Sequence, residues 1–143
     1  MSLEKQIVKK SEEEWKKILS PEEFLVLRKK GTEPPFTGKL VHQKAEGTYV
    51  CAGCGNLLFS SQTKFDSGSG WPSFSAPISP KALKEKPDNS LGIKRTEVLC
   101  ARCEGHLGHV FDDGPAPSGL RYCMNSVSLR FVEKKHDAEK TSD

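Results

Sequence analysis

The apolar positions of the chain follow two different rules, and the change between them falls near residue 32. Before it, Ser11-Glu12-Glu13-Glu14 has the form of a capping box, in which a serine hydroxyl accepts from the amide three residues on and the glutamate there reaches back. Trp15, Ile18 and Leu19 then form an apolar stripe. Ser20-Pro21-Glu22-Glu23 repeats the signal with proline at the first helical position, and Phe24, Leu25 and Leu27 carry it on until Gly31. Two short helices are predicted. Neither is long enough to be stable alone, so their apolar faces must dock on the rest of the fold as packing elements.

After residue 32, glycine, proline and serine become frequent and the apolar runs shorten, as expected for strands joined by turns. Strands are predicted at 47–51, 57–60, 93–100, 109–111 and 122–131, with a long irregular loop over 66–89 that suggests a binding surface. The fold class is mainly β. In the last strand, alternation puts Cys123, Asn125, Val127, Leu129 and Phe131 on one face and Tyr122, Met124, Ser126, Ser128 and Arg130 on the other. The cysteine face is the apolar one and turns polar only at its Cys123 end. A thiol and an amide are therefore expected at the rim of a cavity.

A length of 143 residues suits one domain, placed at 11–133 between a flexible N-terminus, 1–10, and a charged, disordered tail, 134–143. Apolar residues make up 35% and charged residues 29%, and no apolar run nears the roughly 18 residues of a membrane span. The first ten residues lack the apolar region of a secretory signal and the acid-poor look of a transit peptide, so a cytoplasmic protein with no membrane partner is expected. The net charge of +3 is scattered, not gathered into a stripe, which argues against a nucleic-acid partner.

Five cysteines divide as four plus one. Cys51-Ala52-Gly53-Cys54 and Cys100-Ala101-Arg102-Cys103 are two CxxC pairs, the first followed directly by Gly55. A single CxxC also fits a redox dithiol, but a duplicated pair fits two knuckles that share one tetrahedral zinc ion. Such a closed Cys₄ site is structural. His106 and His109 are spaced too closely to replace two of the thiols, which leaves both histidines and Cys123 for other work.

Cys123 by itself fits a buried small hydrophobe as well as a nucleophile. Arg121 beside it, and two histidines that leave the second knuckle next to Asp112-Asp113, supply the positive charge and proton donors a nucleophilic thiol needs. In Gly68-Ser69-Gly70-Trp71-Pro72-Ser73-Phe74, proline holds Trp71 extended, either as a core residue or as an aromatic wall for a polarizable sulfur group.

Taken together, RYCMNSVSLRF, GHLGHVFDDGP, SGWPSF and the paired CxxC motifs resemble the methionine sulfoxide reductase B family, which acts on the R epimer of methionine sulfoxide. The resemblance extends from about the second helix to Phe131. It implies a small fold of antiparallel sheets, barrel-like, with N-terminal helices and one Cys₄ zinc. It also implies that Cys123 is the nucleophile, that His106 and His109 are the acid histidines, with His109 nearer the sulfoxide oxygen, and that Asn125 positions the polar groups around it. Trp71 would hold the substrate methyl, with Phe74, Phe111, Asp112 and Arg121 as further substrate-binding residues. The product on Cys123 would be a sulfenic acid. Ser69 occupies the place of the resolving cysteine that many members use, so regeneration falls to thioredoxin, another external thiol, or a zinc ligand that lets go. Oxidised proteins are the implied substrate and a monomer the implied state. A zinc-ribbon interaction module explains the quartet too, but it gives Cys123, His109 and Trp71 no role.

Overall fold

The computed structural model describes residues 10–89 and 92–134. Both capping boxes form. In the first, which opens α1 (Glu12–Ile18), the Glu14 amide donates to Ser11 Oγ at 3.2 Å and the Ser11 amide donates to Glu14 Oε1 at 2.8 Å. The second opens α2 (Pro21–Lys29) with the same pair of bonds between Ser20 and Glu23. The helix stops one residue earlier than predicted: Lys30, at φ 61°, takes the left-handed cap, and the Gly31 amide closes it on the Leu25 carbonyl. Trp15, Leu19, Phe24 and Leu27 are buried as docking residues, whereas Ile18 and Leu25 stay exposed on the outer faces.

Among the described residues nine strands follow: β1 (Gly47–Cys51), β2 (Leu57–Ser60), β3 (Lys64–Phe65), β4 (Ser73–Phe74), β5 (Leu83–Asp88), β6 (Arg95–Cys100), β7 (His106–Phe111), β8 (Arg121–Met124) and β9 (Leu129–Glu133). They make two antiparallel sheets, one in the order β2-β1-β9 and one in the order β3-β4-β8-β7-β6-β5. Two predicted strands appear with the bounds read from the sequence. The presumed loop over 66–89 is different: it contributes β4 to the middle and β5 to the edge of the larger sheet.

The predicted strand 122–131 is two strands in different sheets, separated by a 3₁₀ turn over Ser126–Ser128. This corrects the assignment of faces. Tyr122 and Met124 are buried in the core, and Cys123 lies on the opposite, pocket side. The turn buries polar groups that a strand could not satisfy, since the Ser128 hydroxyl finds the carbonyls of Asn125 at 2.8 Å and Leu107 at 3.2 Å.

Between the sheets, Phe59 and Phe74 stack with centroids 4.3 Å apart and Tyr49 meets Phe74 edge-on at 5.0 Å. Leu58, Val98, Leu107 and Met124 complete this core. Apart from Lys10 and Lys134, the segments expected to be a flexible N-terminus and a disordered tail lie outside the described residues. Among the described residues, no helix is long and apolar enough to cross a membrane.

Candidate functional site

The two CxxC segments fold alike. In the first, the Cys51 amide donates to the Asn56 carbonyl and the Gly55 amide returns to the Cys51 carbonyl, each at 2.9 Å; in the second, the same two bonds link Cys100 with Gly105 and Glu104, at 3.0 and 2.8 Å. Each knuckle closes on a residue at positive φ, Gly55 at 80° and Glu104 at 63°. Glycine adopts that conformation freely, and Glu104 is the less expected choice.

The knuckles bring the four sulfurs of Cys51, Cys54, Cys100 and Cys103 within 4.8 Å of one another, with Cys51–Cys103 at 3.6 Å and Cys54–Cys100 at 3.5 Å. A tetrahedral ion with metal–sulfur bonds of about 2.3 Å needs sulfurs about 3.8 Å apart, so the quartet fits a metal ion and leaves no open position. Both helices brace it. Trp15 packs on the first knuckle at Gly53, Arg28 stacks on the Trp15 ring at 4.7 Å, and Arg28 Nη1 donates to the Cys103 carbonyl at 2.9 Å.

A separate cavity of about 260 Å³ opens where β7 and β8 pair, lined by Ser69, Trp71, His109, Phe111, Arg121 and Cys123 among others. His109 stands opposite Cys123 in the ladder and Phe111 opposite Arg121. Gly108 makes this possible, because a Cβ there would fall 2.1 Å from the Cys123 carbonyl oxygen. The Trp71 indole Nε1 donates to the Glu33 carbonyl at 2.9 Å, which fixes the ring as a wall of the cavity.

In a regular strand, residues three apart face opposite ways, so His106 and His109 should be separated. They are not. The β6–β7 register slips between Val98 and Leu99, and this bulge turns both rings to one side, with centroids 5.5 Å apart. Each imidazole has its own carboxylate: His106 Nδ1 meets Glu97 Oε2 at 2.8 Å, and His109 Nε2 meets Asp88 Oδ2 at 2.7 Å. Burial pushes His106 down, and the hydrogen bond and charge of Glu97 act against it. His106, 3% exposed, lies behind His109 and outside the pocket lining. Burial also pushes the Cys123 thiol up, and the Ser69 hydroxyl and the Arg121 guanidinium act against it.

Two of the residues expected to bind substrate lie outside the cavity lining. Phe74 is fully buried in the core and turns away from the cavity. Asp112 is exposed and outside the cavity lining, and the carboxylate that grips Arg121 is Asp113, two residues past the end of β7, with Nε–Oδ1 at 2.8 Å and Nη2–Oδ2 at 3.2 Å. Arg121 also stacks on Phe111 at 4.5 Å. Asn125 lines the cavity, but its side chain spans two backbones: Oδ1 accepts from the Glu33 amide at 2.9 Å, and Nδ2 donates to the Leu107 carbonyl at 3.1 Å.

Sequence reasoning missed Glu33, Glu97, Asp88 and Arg95. Glu97 and Asp88 meet the histidines across strands, and a sequence without its register carries no sign of that. Glu33 is 5% exposed and accepts from the Val127 amide at 2.9 Å, capping the 3₁₀ turn from a distant segment. Gly31 marked a helix end there, and nothing marked a buried acid two residues on.

A thiol facing a histidine and an arginine in a walled pocket, apart from a metal-type quartet, is an arrangement suited to cysteine chemistry. Comparison with known proteins narrows this. The SelR domain matches residues 19–133. A peptide methionine sulfoxide reductase MsrB of Leptospira interrogans is 59% identical over 127 residues, covering 89% of this chain and 97% of its own length. The protein of the same name in Methanosarcina barkeri is 61% identical over 124 residues, 87% of each chain, and that in Bradyrhizobium diazoefficiens is 59% identical over 125, 87% of this chain and 90% of its own. The chain belongs to the SelR domain family, that of methionine sulfoxide reductase B.

Proposed function

We propose that this protein reduces methionine-R-sulfoxide in proteins through Cys123. The observation that carries the reading is the cross-strand pairing of Cys123 with His109 in a cavity walled by Trp71. The Cys123 thiolate attacks the sulfoxide sulfur while a protonated His109 gives a proton to its oxygen. Oxygen passes to Cys123 as a sulfenic acid and methionine leaves: one proton is consumed, the cysteine sulfur is oxidised by two electrons and the substrate sulfur is reduced by two. An external thiol then displaces water from the sulfenic acid to give a mixed disulfide, and a second thiol frees Cys123. Ser69 stands where a resolving cysteine would, so thioredoxin or a small thiol fills that role in a cytoplasmic, monomeric enzyme.

Zinc suits the four-thiolate quartet, held by Cys51, Cys54, Cys100 and Cys103. It would supply a structural cross-link between the end of β1 in one sheet and the end of β6 in the other, with no part in the chemical steps.

Turnover of methionine-R-sulfoxide with dithiothreitol tests the whole reading, and an inactive wild-type protein overturns it. His109→Gln is expected to slow the reductive step about 10²-fold or more with little effect on binding, as loss of a general acid requires. His106→Gln is expected to do less, because its ring is buried, bonded to Glu97 and outside the cavity lining. Single-turnover rates compare the two, and a larger loss in His106→Gln reverses the roles. Trp71→Ala is expected to raise KM and lower kcat together, since the indole both binds the methyl group and aims the sulfur. Unchanged steady-state kinetics would remove Trp71 from the site.

A further inference from the structure

The reaction above leaves three serines without a task, and they are bonded in series up to the nucleophile. Ser73, fully buried on β4, donates its hydroxyl to the Trp71 carbonyl at 3.1 Å, so its oxygen is free to accept, and Ser67 Oγ lies 2.7 Å away. Ser67 Oγ accepts from the Ser69 amide at 3.3 Å and is 2.8 Å from Ser69 Oγ. Ser69 Oγ accepts from the Trp71 amide at 3.4 Å and stands 3.7 Å from Cys123 Sγ.

A hydroxyl has one proton to give, and a thiolate can only accept. With Ser73 donating to the Trp71 carbonyl, Ser67 can donate to Ser73. The Ser69 proton is left with two acceptors, Ser67 Oγ and Cys123 Sγ. Once the sulfur is a thiolate it is the charged acceptor, and a hydrogen bond to a charged group is the stronger one.

The far end of the series is also tied to the thiol, because Ser73 pairs with Cys123 across β4 and β8. Between the serines, Gly68 and Gly70 turn the loop back at φ 73° and 94°, and a Cβ on Gly70 would come within 2.6 Å of Pro35 Cβ.

We infer that Ser69 is a catalytic residue: its hydroxyl donates to the Cys123 sulfur and stabilises the thiolate that attacks, with Ser67 and Ser73 as positioning residues that aim its proton. The position that holds a resolving thiol in other members here acts before the oxygen transfer instead of after it. This rests on the Cys123 reading of the preceding section. The other charged and titratable groups around the sulfur are Arg121 on β8, with Asp113 on its guanidinium, His109 on β7, Arg95 at the pocket wall and the Glu33 carboxylate from the segment after α2. They set the absolute acidity of the thiol. The Ser69 hydroxyl is the part that a single substitution isolates.

The test is the pH dependence of iodoacetamide alkylation of Cys123 in the metal-loaded protein, read on the Cys123 peptide by mass spectrometry, for the wild type, Ser69→Ala and Ser69→Thr. Ser69→Ala is expected to raise the midpoint by about one pH unit, a roughly tenfold smaller thiolate fraction on the rising limb. Ser69→Thr, which keeps the hydroxyl, is expected to restore it. An unmoved midpoint in Ser69→Ala overturns the inference, and so does a shift that a folded Ser69→Thr protein shares, since that reports loop packing and not the proton. Alkylation needs no sulfoxide, so dimedone trapping after one equivalent of methionine sulfoxide tests the sulfenic acid separately: its failure removes that step and leaves the midpoint comparison standing.

Discussion

Cys123→Ser is expected to reduce methionine-R-sulfoxide at the background rate, a loss of about 10⁴-fold or more, with metal content and cooperative unfolding unchanged. A serine hydroxyl stays protonated at neutral pH and has no stable counterpart of a sulfenic acid, so neither the attack nor the product survives the change. The fold should tolerate it. Cys123 is only partly buried at the cavity wall and takes no part in the quartet, and the residues around it that fill the core, Tyr122 and Met124, are untouched. Activity with dithiothreitol and a thermal melt check both halves, and turnover comparable to the wild type would end the Cys123 mechanism.

The second large effect lies at the other end of the molecule. Serine at any one of Cys51, Cys54, Cys100 or Cys103 is expected to release the metal and unfold the domain. Structural zinc contributes about 10–16 kcal/mol in small metal-dependent domains, and the net stability of a domain this size is about 5–15 kcal/mol, so losing the ion removes about as much as the fold has. The quartet joins the end of β1 to the end of β6, and Trp15, Leu27 and Arg28 dock on it, so the helices should detach with it. Circular dichroism before and after chelation, together with absorption spectroscopy on the bound metal, measures this. Four sulfur ligands at about 2.3 Å are expected. Nitrogen ligands, or a metal-free chain that melts cooperatively at the same temperature, would overturn the Cys₄ zinc assignment.

The amino-acid sequence determined by itself whatever depends on neighbours a few residues apart. Each capping box is a three-residue relation, each knuckle a CxxC with its turn, and both appear where the sequence placed them. The division of five cysteines into four and one, the mainly β character and the gathering of Cys123, His109, Trp71 and Arg121 around one cavity were legible for the same reason, or through the family resemblance of their motifs.

Tertiary structure decided what depends on register. A strand's two faces are interchangeable until one packs, and the 3₁₀ turn at Ser126–Ser128 let Tyr122 and Met124 take the core, leaving Cys123 the cavity. The bulge in β7 put both histidines on one side, and strand pairing supplied Glu97 and Asp88 to orient them. The path of the chain past the end of β7 put Asp113 and not Asp112 on Arg121, and Phe74 stacks on Phe59 in the core. The three serines lie within seven residues of sequence, 67–73, yet Ser69 reaches the thiol through the pairing of β4 with β8. A side chain's chemistry belongs to its own position in the chain, whereas the atom it meets is set by packing between segments far apart in sequence.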